Sequence, residues 1–317
     1  METDFLILGY GFTARYTAYE LLKRFPDRKI TIVAKQEDFN RDYSKRDDYI
    51  FLRYGKLDTI RQLLEELGVL HKGSWHNSKK VKIGFIKDSK VIREVTEKVK
   101  QDYYEKVFDG STPAEKLKGN IKHFYDSQRM VNAKFSDLMS ALGSKIKDRT
   151  TTVAGEVESI KAVPHKVRLS DGTEISYKIL ISTIPLDVFL RNLIFSRSPL
   201  GILGDLYKKP LYYYPAQYTR MHGYDQLYVL DKKDPVLRFI KAKKGIIKES
   251  LQEQSDKEPK SVEQYGKLMI NNRNNITGLD SFFNGLSEQQ IYLAGRVARW
   301  QSYHYLEDNI KDVQKIT

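Results

Sequence analysis

DFLILGYGFTARYTAYELLKRFPDRKITIVA, residues 4–34, holds three elements in a fixed order. Asp4 to Leu8 is a short apolar run that stops abruptly at glycine, the pattern of a buried strand. Gly9-Tyr10-Gly11-Phe12-Thr13-Ala14 follows, and Tyr19, Leu21, Leu22 and Phe25 then mark a helical stretch closed by Pro26-Asp27. Lys29 to Ala34 is a second apolar, β-branched run. A strand, a glycine turn, a helix and a second strand within about 30 residues predict a dinucleotide-binding unit.

The glycine spacing has a mechanical basis. Gly9 permits the tight turn out of the strand, Gly11 lets a pyrophosphate approach the backbone, and Ala14 lets helix and strand pack closely. Phe12 and Thr13 then open the helix, whose free N–H groups and dipole favour phosphate. GxG alone also fits a plain structural turn, but the flanking strands and helix are the context that binding requires. One expected part is absent. The end of the second strand should carry an acid for the adenosine ribose, and here it carries Ala34 followed by Lys35. Three readings stay open: Lys35 accepts a 2′-phosphate, Glu37 substitutes for the acid, or the cofactor is bound weakly.

Beyond this unit, Lys35 to Asp48 is polar and predicts a surface loop. LDTIRQLLEELGVL at 57–70 predicts an amphipathic helix ended by Gly68. Val81–Phe85 and Lys90–Ile92 predict a hairpin around Asp88-Ser89. Residues 93–128 read as charged and helical, and Phe135 to Ile146 as a second amphipathic helix. From residue 150 short strands dominate: Thr151–Val153, Glu156–Ile160, Lys166–Leu169 and Lys178–Ser182, with a Ser-Asp-Gly turn at 170–172. Residues 207–240 read as aromatic-rich strands and 241–264 as a charged loop or helix. Gln290 to Gly295 is a strand ending in glycine, with a helix from about Tyr303.

Composition narrows the chemistry. With 317 residues, 40% apolar and 30% charged, the chain can bury a sizeable core. No run approaches the ~20 apolar residues of a membrane helix. Met1 leads straight into a strand, so a cytoplasmic location is expected. The absence of cysteine excludes disulfides, iron–sulfur clusters and thiolate metal sites. Six histidines without ligand spacing predict no metal site. The net charge of +13 favours anionic partners, including nucleic acid, and equally suits a lysine-rich solvated surface.

Three further segments sharpen the reading: EVESI at 156–160 running on to ILISTIP at 179–185, LYVLDKKDPVLR at 227–238, and IYLAGRVARW at 291–300. In this order and at these distances from the N-terminal unit they resemble the NAD(P)-like FAD superfamily of amine oxidases, protoporphyrinogen oxidases and UDP-galactopyranose mutases. The resemblance implies that Val157 meets the adenine through its backbone, and that Thr183 and Pro185 close the cofactor domain. It places Gly295 and Arg296 at the ribityl and pyrophosphate groups, and Arg238 in a substrate pocket over the flavin. The segment Asp48–Gly55 stands where the family has a strand beside the flavin, making Arg53 a candidate for the flavin edge or an anionic substrate. Arg238 and Arg296 could clamp a diphosphate or carboxylate, since the guanidinium fork suits such oxygens; surface or ion-paired arginines are the alternative. The tyrosines of 212–228 fit a stacking pocket or, singly, a sheet core.

The expected fold is α/β. A Rossmann-like FAD-binding domain with a parallel sheet and helices on both sides comes from 1–40, 131–190 and 285–317, and a mixed α+β substrate domain from 41–130 and 191–284. The expected function is FAD-dependent oxidoreductase or mutase chemistry on a small or nucleotide-linked anionic substrate, with NADP as the alternative cofactor. Two other readings stand beside it: a flavoenzyme that modifies bases in DNA or RNA, and a non-catalytic dinucleotide-binding protein.

Overall fold

A computed structural model describes residues 1–44, 53–54, 57–70, 79–92, 94, 96–108, 129–130, 133–194, 202, 206, 208–216, 221–242, 245–252, 266–269, 278–295, 297–299 and 306–316. Its main sheet has five parallel strands at the centre, in the order Thr151–Ala154, Ile30–Ala34, Glu2–Leu8, Glu174–Ser182, Ile291–Leu293. The nine-residue strand Glu174–Ser182 carries two partners on one edge. Its start pairs antiparallel with Lys166–Leu169 (Ser176 opposite Lys166), and its end pairs in parallel with Ile291–Leu293 (Leu180 opposite Ile291). The sheet forks there, and Val157–Lys161 and Leu193–Ile194 extend the antiparallel branch.

The period of two decides which layer each residue joins. Phe5 and Ile7 pack with the helices Phe12–Arg24, Phe135–Ile146 and Leu306–Ile316. Leu6 and Leu8 pack against Ile160, Val167 and Leu169 of the antiparallel branch, and against the helices Leu186–Asn192 and Leu279–Glu288. Both faces are covered, which is why the first strand reads as an unbroken apolar run. Leu6, Ile7 and Leu8 are fully buried, each contributing roughly 1.5–3 kcal/mol. The fold is α/β, a Rossmann-like parallel sheet with helices on both faces, combined with a mixed α+β portion.

That second portion is built on a seven-stranded sheet ordered Gly266–Met269, Lys208–Ala216, Gly245–Ser250, Val236–Ala242, Gln226–Val229, Ile83–Lys87, Lys90–Ile92. Only the pairing of Gln226–Val229 with Ile83–Lys87 is parallel. The helix Glu97–Phe108 lays Tyr103 and Val107 on it, with the Tyr103 ring 4.8 Å from that of Tyr228. A small sheet joins Arg53–Tyr54, Arg129–Met130 and Lys79–Lys80.

Local expectations hold where the turn chemistry is explicit. Asp88 and Ser89 both take positive φ (49° and 60°), as the tight hairpin requires. Helix Leu57–Glu66 is closed by Gly68 at φ +71°, with the Val69 and Leu70 N–H groups both donating to Leu64 O. Two expectations are corrected. Gln36–Phe39 forms a short helix inside the stretch read as a loop, and Gly245–Ser250, read as charged loop or helix, is a strand paired on both edges. Its Ile246 and Ile247 join ladders that the lysine-rich surroundings disguise. No helix among the described residues is long and apolar enough to cross a membrane.

Candidate functional site

The carboxyl ends of the strands Glu2–Leu8, Glu174–Ser182 and Ile291–Leu293 lead into Gly9, Thr183 and Gly295. Gly9 takes φ +105° and donates its N–H to Val33 O at 2.8 Å. A Cβ there would lie 2.5 Å from Thr183 Oγ1, so only glycine fits. Thr183 in turn donates both Oγ1 (2.7 Å) and its backbone N–H (2.9 Å) to Leu8 O. The turn leaving the first strand is thereby fastened to the ISTIP segment.

Gly11 behaves differently. Its φ is ordinary (−73°), and a Cβ would meet nothing within 4 Å. Glycine is not needed here by the fold, and the space above it is open. Gly11 caps the helix Phe12–Arg24, which has no side-chain cap and no acidic residue in its first turn. The N–H groups of that turn are therefore not taken by a capping side chain, and with the helix dipole they suit an anion. Ala14 is fully buried against the strand, while Phe12 is buried and stacked on Tyr16 at 5.9 Å.

Thr13 connects the turn to the C-terminal segment. Its Oγ1 donates to Asn309 Oδ1 at 2.6 Å, and a Cβ on Gly295 would lie 2.7 Å from Thr13 Oγ1. Gly295 takes φ +91°, its N–H donates to Asp312 Oδ2 at 3.3 Å, and Arg299 is paired with Asp312. The Gly295 turn thus packs directly against Thr13 in the first turn of the helix. The open backbone at Gly11 and the helix start without a capping side chain suit a linked diphosphate.

Arg15 was not anticipated, although an arginine one residue past the glycine motif was visible. It is buried, with Nε donating to Tyr10 O (3.2 Å) and Nη1 to Met139 O (2.8 Å). Its guanidinium lies 4.0 Å over the Tyr10 ring, and Gly143 leaves room for it. Arg15 locks the loop to helix Phe135–Ile146. Tyr10 also lines a cleft of about 500 Å³, together with Gln36, Phe39, Ser144, Lys147, Thr152 and Ala154 among others.

At the ribose position Ala34 is buried and Lys35 is exposed. Lys35 Nζ lies 2.9 Å from Glu156 Oε1, and this bond holds its amine above the ordinary lysine range. Glu156 reaches it because Gly155 N–H donates to Ala34 O at 2.9 Å, joining the ends of neighbouring strands. Val157 follows directly, its carbonyl accepting from Asn192 Nδ2 at 3.1 Å.

Of the three arginine candidates, only Arg238 has a described side chain. Arg238 donates Nε and Nη2 to Glu249 Oε2 (2.8 and 2.6 Å), and Nη1 to Gln226 Oε1 and Tyr228 Oη (3.2 and 3.1 Å). Burial opposes its charge most strongly of any one influence, but Glu249 together with Tyr228, Tyr213 and Tyr103 outweighs it and lifts its pKa. Arg238, expected over the flavin, is thus held in an ion pair within the seven-stranded sheet. Arg53 is described only as backbone paired with Met130, and Arg296 lies outside the described residues, as do Trp300, Tyr303 and His304.

No protein-family model matches the sequence, and no curated protein matches it. Solved structures do match in fold. A reduced UDP-galactopyranose mutase aligns at TM-score 0.66 and 14% identity, covering 99% of this chain and 94% of that one. A CLA-producing fatty acid isomerase from P. acnes aligns at 0.63 and 11% identity, covering 99% and 98%. A putative protoporphyrinogen oxidase from Exiguobacterium sp. 255-15 aligns at 0.58 and 12%, covering 99% and 97%. Over nearly its whole length this chain therefore shares the fold of these three enzymes.

Proposed function

We propose that this chain is an FAD-dependent enzyme of the mutase and oxidase kind, with the cofactor's diphosphate seated on the Gly9–Ala14 turn. One observation carries the reading: Gly11 is glycine where the fold does not require it, above an uncapped helix start whose Thr13 packs against Gly295. The names of the fold neighbours, a mutase, an isomerase and an oxidase, are the chemistry such a site supports. Bound flavin would supply hydride or electron-pair chemistry that no side chain offers.

The residues divide the work of holding it. The first-turn N–H groups of Phe12, Thr13 and Ala14 would balance the diphosphate charge. Gly9 and Thr183 fix the direction in which the turn leaves the sheet, and Gly295 would approach the middle of the cofactor. The Val157 backbone would meet the adenine. The substrate proposed is small or nucleotide-linked and anionic, in keeping with the charge of +13.

The test is to heat freshly purified protein and identify the released cofactor by mass. FAD is expected; NADP would move the reading to Lys35. No released nucleotide, together with no FAD uptake on titration, would overturn it. Turnover of a UDP-sugar by the reduced protein would then select mutase chemistry, and oxygen consumption with amines would select oxidase chemistry.

A further inference from the structure

We infer that Glu156 stands in for the missing ribose acid, and that its pairing with Lys35 makes the adenosine end select a free 2′-hydroxyl over a 2′-phosphate. This rests on the dinucleotide reading above and adds the specificity of that site.

Three observations converge. The acid is lacking where the second strand ends, since Ala34 is buried and apolar. The neighbouring parallel strand, Thr151–Ala154, ends beside it with Ala154 opposite Ala34, and the Gly155 N–H bond to Ala34 O brings the next residue, Glu156, alongside. The cleft next to the glycine turn is lined by Tyr10, Gln36 and Ala154, so it opens at the same strand ends from which Lys35 and Glu156 extend. A carboxylate there accepts hydrogen bonds from ribose hydroxyls, as an acid on the second strand would.

The same pair works against a phosphate. Lys35 has its charge engaged by Glu156 at 2.9 Å, and Glu37 and Asp38 also lie close enough to act on its amine. A 2′-phosphate would have to displace Glu156 and then sit among carboxylates. Arg41 is occupied by Asp38 at 3.1 Å. Lys147 lines the same cleft and is the other cation to be tested.

The experiment uses the full chain, stripped of nucleotide by dialysis against concentrated bromide, with calorimetric titration of AMP and of adenosine 2′,5′-bisphosphate. AMP is expected to bind about tenfold or more tightly than the bisphosphate. Glu156→Gln should weaken AMP by a few-fold and tighten the bisphosphate by about fivefold or more, reversing or erasing the preference. Adding Lys35→Ala to Glu156→Gln should abolish that gain. An unchanged ratio in Glu156→Gln would overturn the inference while leaving the dinucleotide site intact. A gain that survives Lys35→Ala and falls only with Lys147→Ala would overturn it too. Binding of neither ligand would overturn the inference and the dinucleotide reading together.

Discussion

Thr13 Oγ1 occupies the place that any side chain on residue 295 would need, since a Cβ built on Gly295 falls 2.7 Å from it. The contact joins the first turn of the phosphate-facing helix to the C-terminal segment. Gly295→Ala must therefore both adopt φ near +91° and push Thr13 away. The expected loss is about 2–4 kcal/mol of stability, with weakened FAD binding. In a Thr13→Ala background the same substitution should be milder by about 0.5–1 kcal/mol, the coupling of residues in contact. Urea titrations of the four variants give the cycle, and strict additivity would show the contact is not real.

Gly9 and Gly11 stand two residues apart and should respond oppositely. Gly9→Ala meets Thr183 Oγ1 at 2.5 Å in a left-handed conformation, so it should unfold readily, losing about 2–4 kcal/mol. Gly11→Ala has ordinary φ and empty space around its Cβ, so stability should shift by less than about 1 kcal/mol. Its FAD affinity should nevertheless fall about tenfold or more, because the methyl group enters the diphosphate's space. Thermal unfolding and FAD fluorescence titration separate the two effects. Equal FAD affinity of wild type and Gly11→Ala would contradict the cradle.

What was readable in the sequence was local. The buried run Phe5–Leu8, the paired glycines and the hairpin at Asp88-Ser89 each carry their own geometry in their residue types. Gly245–Ser250 escaped because a strand held by partners on both edges needs no alternation strong enough to stand out among lysines. Glu156 escaped for a related reason. Its position beside Lys35 follows from two strands becoming neighbours, which no spacing within either segment encodes. Arg238 reads in the sequence as ending a strand, but it is the third residue of Val236–Ala242, and Glu249, which takes its charge, lies on the next strand of the sheet.

That ion pair yields a third prediction. The Glu249 side chain is only 5% exposed, and its Oε2 receives two of the Arg238 donors. Arg238→Met would strand the carboxylate, and Glu249→Met would strand the guanidinium. Each should destabilise the protein by about 3–5 kcal/mol, while the double replacement should recover most of the loss. Because the pair lies in the seven-stranded sheet, folded Arg238→Met protein should keep wild-type FAD affinity. A loss of FAD binding with unchanged stability would contradict this and put Arg238 in contact with the cofactor.

Lys106 gives the fold an unusual response to alkali. It is 6% exposed and donates Nζ to Val229 O (3.0 Å) and Val236 O (2.6 Å), tying together the two strands that flank the 230–235 turn. Burial pulls its pKa down to about 8, against the opposing pull of Asp234 and Asp231. In the unfolded chain the amine titrates at its ordinary value, about 10.4. Between pH 8 and 10 the unfolded chain thus holds a proton that the folded one has released, so this group's contribution to stability rises with pH. Below pH 8 both states are charged and the contribution is flat, at its least favourable level. The stability difference between wild type and Lys106→Met should therefore shift in favour of wild type by about 2 kcal/mol from pH 8 to pH 10. Comparing the two proteins at each pH cancels the buried tyrosines Tyr16 and Tyr177, whose raised pKa values oppose folding at still higher pH. Urea unfolding at pH 7, 8, 9 and 10 measures the difference, and a flat profile would mean that the amine keeps its ordinary pKa despite its burial.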